Sequence, residues 1–110
     1  MTYADLKTEL GNITQIPFAE AAWQNAPRLH TNYGIYAIDG RYDLSADETH
    51  AEKLVDGTVD AFIVTGNGEY ETGLVEAALD AAGVKWRYNS KQYEPGTRLT
   101  HIEWVFRCLP

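Results

Sequence analysis

Apolar residues recur at helical spacing from the first positions of the chain. Tyr3, Leu6 and Leu10 share one face of a helix predicted over residues 2–10. Thr2 stands where an N-cap is needed, Asp5 three residues on completes a capping box, and Gly11 supplies a stop. From Ile13 to Trp23 the chain is apolar without a clear period. Ile16-Pro17 biases Ile16 to extended backbone, so this segment is expected to form an extended arm, with Ala19–Ala22 as a helical turn. Phe18, Ala21, Ala22 and Trp23 are expected to pack against the rest of the chain.

Past a break at Asn25-Ala26-Pro27, the run Tyr33–Ile38 is aromatic and β-branched and predicts a strand. Asp39-Gly40 is read as a turn, and Arg41 to Thr49 as an exposed hairpin tip carrying Asp43, Asp47 and Glu48. His50 to Leu54 begins a returning strand, Asp56-Gly57 interrupts it with a bulge or bend, and Thr58 to Thr65 continues it. In that last stretch Val59, Ala61 and Ile63 fall on one face while Phe62 and Val64 fall on the other, which predicts a central strand.

Gly66-Asn67-Gly68 closes the strand. A helix follows from Glu69, with Leu74, Val75, Ala78, Leu79 and Ala82 in one stripe, Glu76 and Asp80 pointing away, and Gly83 at the exit. Two strands end the chain, Val84 to Tyr93 and Arg98 to Cys108, joined by Glu94-Pro95-Gly96-Thr97 as a type II turn. In the last of them Thr100, Ile102, Trp104, Phe106 and Cys108 alternate with Leu99, His101, Glu103, Val105 and Arg107, which fixes the buried face. The fold class expected is α+β: an antiparallel β-sheet of about four to five strands with two helices packed on one face.

At 110 residues, 45% hydrophobic and 23% charged, the chain is expected to be a single globular domain, 1–110. The net charge of −7 argues against holding nucleic acid by neutralising phosphates. No apolar run is long enough for a membrane span, and the N-terminus lacks a secretory pattern, so folding in the cytoplasm is the expectation.

Candidate chemistry is sparse. His30, His50 and His101 lack metal-ligand spacing, and the single cysteine, Cys108, lies on the apolar stripe as a buried thiol. Gly66-Asn67-Gly68 lies between a strand and a helix as phosphate loops do, but no Lys-Ser or Lys-Thr follows, and Glu69 and Glu71 would repel an anion. No catalytic residue, cofactor or metal is therefore assigned. The notable feature is aromatic content, with three tryptophans and seven tyrosines; Tyr33, Tyr36, Tyr42, Tyr88 and Tyr93 suit subunit contacts. The interface candidates are Trp23, Tyr42, Asp43, Leu44, Tyr88 and Tyr93.

Taken together, several segments resemble the tail terminator, or tail completion, proteins of long-tailed bacteriophages. They are Ile16-Pro17-Phe18 after a short helix, the run from Pro27 to Tyr36, the Gly57–Thr65 strand G-T-V-D-A-F-I-V-T, the helix end L-D-A-A-G-V, then W-R-Y-N-S-K-Q-Y-E and H-I-E-W-V-F. The resemblance implies a non-enzymatic virion protein of the tail-neck region, assembled in the host cytoplasm. Its subunits would form a ring, usually a hexamer, that caps the tail tube and meets the head–tail connector, with DNA passing through unbound. The loop Arg41–Thr49 is the element expected to reach a partner. Two other readings remain open: another neck component such as a head-closure protein, or a small cytoplasmic ligand-binding domain with a pocket near Trp86 and Trp104.

Overall fold

The computed structural model describes residues 1–20, 31–44, 52–64 and 66–110. The elements run α1 (Tyr3–Gly11), β1 (Phe18–Glu20), β2 (Tyr33–Leu44), β3 (Glu52–Ile63), α2 (Glu69–Ala82), β4 (Lys85–Glu94) and β5 (Leu99–Cys108). They build one mixed sheet in the order β1-β2-β3-β5-β4, antiparallel throughout except for β1 beside β2. The α+β class follows from the sequence pattern as expected.

Local chemistry starts α1 and ends α2. At α1 the Asp5 N–H donates to Thr2 Oγ1 at 3.1 Å while the Thr2 N–H donates to Asp5 Oδ2 at 3.0 Å, so the capping box is complete. Helix α2 ends where Gly83 takes a left-handed φ of 72°, which glycine adopts without steric cost. The inward faces of both helices, Tyr3, Leu6 and Leu10 with Val75, Ala78, Leu79 and Ala82, meet one face of the sheet. From the sheet come Tyr36, Val59, Ala61, Ile63, Ile102, Trp104, Phe106 and Cys108, all on that same face by the period-two rule. Strand β5 alternates without a fault between half-buried and buried positions, so its side chains divide as expected between the two faces.

Four expectations change. The residues Ala19 and Glu20 belong to a short strand and not to a helical turn, because Phe18–Glu20 pair in parallel with Gly34–Tyr36. Glycine at position 34 permits this: a Cβ there would drive into the Phe18 ring. Asp39-Gly40 is not a turn. Strand β2 runs through it, and the register shifts between Ile38 and Gly40, so Asp39 is the extra residue of a bulge. The bulge lies level with Asp56-Gly57, as Ile38 pairs with Gly57 and Gly40 with Asp56, so the irregularity expected at Asp56-Gly57 sits at that height on the neighbouring strand, β2.

The β4–β5 connection is also different. Gly96 does not take the positive φ that a type II turn requires; Arg98 does, at φ 58°, and the Thr97 and Arg98 N–H groups both donate to the Glu94 carbonyl. Finally, Glu76 and Asp80 do not simply face water. The Trp104 indole N–H donates to Glu76 Oε2 at 2.9 Å and the Trp86 indole N–H to Asp80 Oδ1 at 2.8 Å. Spaced i, i+4 on α2, the two carboxylates hold one tryptophan each on β5 and β4, tying the helix to the sheet beyond its apolar stripe.

Candidate interaction surface

The helices cover one face of the sheet; the other is built from the outward positions of the same strands. Pairing puts Tyr33 beside Phe62 and Phe62 beside His101. Their rings stack at centroid distances of 4.7 and 4.3 Å and make an aromatic row across three strands. Next to it Asp60 is 9% exposed, an unusual burial for a carboxylate, and His101 Nε2 lies 2.7 Å from its Oδ1. His101 Nδ1 also lies 3.6 Å from Glu94 Oε2. The hydrogen bond to Asp60 outweighs burial and raises the His101 pKa above its ordinary value. His101 is therefore more than a half-exposed residue on a strand: three elements, β3, β5 and β4, supply the pair and its neighbour.

At the other end of this face the bulge places Asp39 close to Asp56, Asp60 and Glu103. Burial first, and then these like charges, raise the Asp39 pKa, against a hydrogen bond with Thr58 that lowers it. Asp39, Asp56, Gly57, Lys85, Arg87 and Arg107 line an open groove of about 460 Å³, with Trp86, Val105 and Phe106 as its apolar part. Arg107 holds Asp56 through two hydrogen bonds, 2.6 Å from Nε and 3.0 Å from Nη2. Trp86 borders this groove, whereas Trp104 is fully buried in the core and does not line it.

The interface candidates fall in separate places. Tyr42, Asp43 and Leu44 lie on β2, paired with Leu54, Lys53 and Glu52 of β3. Tyr88 and Tyr93 lie on the opposite edge strand, β4, and are 42% and 62% exposed. Trp23 lies outside the described residues, as do His30, His50, Asp47 and Glu48. Tyr36, suggested for subunit contacts, is in the core instead, where its ring packs edge-on against Tyr3. Tyr70 on α2, 63% exposed, was not singled out by its sequence context, and nothing in helical periodicity would have marked it.

Strands β2 and β3 also outrun the sheet. Strand β5 pairs with β3 only from Val55 to Ile63, so Glu52–Leu54 pair with Tyr42–Leu44 alone and form a two-stranded ribbon past the end of β5. Among the described residues no group of His, Cys, Asp and Glu could hold a metal ion, and no helix is long and apolar enough to cross a membrane. Cys108 is buried, and that burial raises its pKa, which disfavours the nucleophilic thiolate. Comparison with known proteins finds no family model and no curated protein that matches the chain.

Proposed function

We propose that this chain is a non-enzymatic structural subunit of a phage tail. On this reading copies assemble into a ring, a hexamer in the family the sequence resembles, at the head-proximal end of the tail tube. The ring terminates the tube and presents a docking face to the head–tail connector, and DNA passes without specific binding. The observation that supports this most is the β2–β3 ribbon. Its parent strands are 12 residues each, about twice the usual length. Of its far end, Lys53 is exposed and Leu54 half-buried, both outside the buried core of the described residues; an isolated two-stranded ribbon is marginal in water, so contact with a second protein would stabilise it.

The test is to mix the purified chain with preformed tail tubes and view tube ends by electron microscopy. A second sample replaces residues 45–51 by a two-residue Asn-Gly turn. Capped ends with the whole chain, and uncapped ends with a shortened chain of unchanged circular dichroism and melting temperature, support the reading. Tubes left uncapped by the whole chain overturn it.

The open groove beside Trp86 favours a second reading, a small ligand-binding domain. A ligand that raises the melting temperature of a chain that stays monomeric would favour that reading over the first.

A further inference from the structure

Three cations share one patch of the sheet face that the helices leave uncovered. Arg107 alternates with the buried Phe106 and Cys108, so it points away from the helices. Lys85 stands directly opposite it on β4, and Arg87 follows two residues along the same face. Like charges set opposite one another across a strand pair are destabilising, and Asp56 offsets this for Arg107 alone, through its two hydrogen bonds. Lys85 and Arg87 are exposed and make no ion pair with a described carboxylate; Arg87 Nη1 donates to the neutral amide oxygen of Asn89 at 3.3 Å. The same groove is lined on its β2 side by Asp39, the extra residue of the bulge, which makes no ion pair with a described Lys or Arg. Bulges re-aim side chains beside functional sites, and the adjacent Gly40 leaves open space where a side chain would stand. Gly57 and Val105, from the two strands in between, line the groove without adding charge.

We propose that this groove binds a short zwitterionic peptide, its carboxylate held by Lys85 and Arg87 and its free amine by Asp39. Uncompensated charge of opposite sign at the two ends sets the direction of the ligand, and the width of the sheet sets its size. From β2 to β4 there are three inter-strand steps, roughly 14 Å at about 4.8 Å each. An extended chain covers about 3.3–3.6 Å per residue, so about four residues span that distance. The volume of about 460 Å³ is of the size that small-molecule sites have. A carboxylate can accept two bonds from the planar fork of Arg87 while Lys85 adds a second charge. An ammonium group beside Asp39 relieves the crowding of that carboxylate by Asp60, Glu103 and Asp56. A simple anion would leave Asp39 without a partner, and a simple amine would meet Lys85 and Arg87, so the groove discriminates against both. The proposal rests on the ligand-binding reading and gives its ligand a chemical class.

The experiment titrates the isotope-labelled full chain with tetra-alanine at neutral pH and follows its backbone amide resonances. N-acetyl-tetra-alanine and tetra-alanine amide, which each remove one charge, are titrated beside it. Tetra-alanine is expected to shift the amides of Asp39, Lys85 and Arg87, and each capped form to bind at least about fivefold more weakly, since each lacks one charge-assisted contact. Asp39→Asn should abolish the discrimination against the acetylated peptide and keep that against the amide. Lys85→Gln combined with Arg87→Gln should do the opposite, with the circular dichroism of both variants unchanged. The capped-peptide comparison is made on the native chain, so it decides even where a variant fails to fold. Equal binding of free and capped peptides overturns the inference and leaves a ligand-binding domain standing. No movement of these amides at about 10 mM tetra-alanine, where a Kd of about 1 mM would be nearly saturated, overturns the inference as well. The ligand-binding reading falls with it only if no other small molecule moves them.

Discussion

Gly57 is the position where a single methyl group should do most damage. It faces the core from β3, the middle strand, paired with Ile38 on one side and Phe106 on the other. A Cβ built there would lie 2.5 Å from the Phe106 ring and closer still to the Ala37 carbonyl oxygen. Ordinary contact between such atoms begins near about 3.5 Å, so something must move by roughly an ångström. The ring is 3% exposed and enclosed by core, and the carbonyl belongs to the β2 backbone, so neither yields freely. Overpacking of this kind costs about 1–3 kcal/mol, and the backbone contact puts Gly57→Ala near about 3. Reduced freedom of the unfolded chain returns about 0.4–1 kcal/mol, leaving a net loss of about 2. For a 110-residue chain the total is about 5–16 kcal/mol. The loss should lower Tm by roughly 8 °C in a calorimetric scan. Phe106→Leu should cost less in the Gly57→Ala background than in the native chain, with coupling of at least about 0.5 kcal/mol, because it removes the ring half of the clash. A Gly57→Ala protein within about 2 °C of the native Tm would refute the packing argument.

Two further outcomes are expected. Glu76→Ala leaves the buried Trp104 N–H without its acceptor and should cost about 1–3 kcal/mol in denaturant unfolding, whereas Glu76→Gln retains an acceptor oxygen and should cost less than about 1; equal losses would show that the hydrogen bond is not what matters. His101 has a folded-state pKa raised by Asp60, so its contribution is fully present below the unfolded value of about 6.5 and is lost as pH rises through the folded one. The Tm difference between native and His101→Gln protein should therefore be larger near pH 5.5 than near pH 8.5, and a difference that is constant or grows with pH would contradict the Asp60 contact.

What the sequence disclosed was mostly what is local. Thr2 and Asp5 complete a cap within one helical turn, and Thr100 to Cys108 alternate because every second side chain of a strand meets the same core. The errors arise where a local signal met a longer-range constraint. Asp39-Gly40 is a strong hairpin dipeptide, yet the ladder to β3 carries β2 onward and absorbs the extra residue as a bulge. Pro95-Gly96 suggested a type II turn, while the loop places its positive φ two residues later, at Arg98, with both donors on Glu94. Neither the parallel pairing of Phe18–Glu20 nor the claims of Trp104 and Trp86 on Glu76 and Asp80 has a sequence period, since each joins elements that the chain brings together only on folding. The interface candidates met the same limit: Tyr42 and Tyr88 are both on strands, but only the strand order reveals that those strands belong to opposite halves of the sheet.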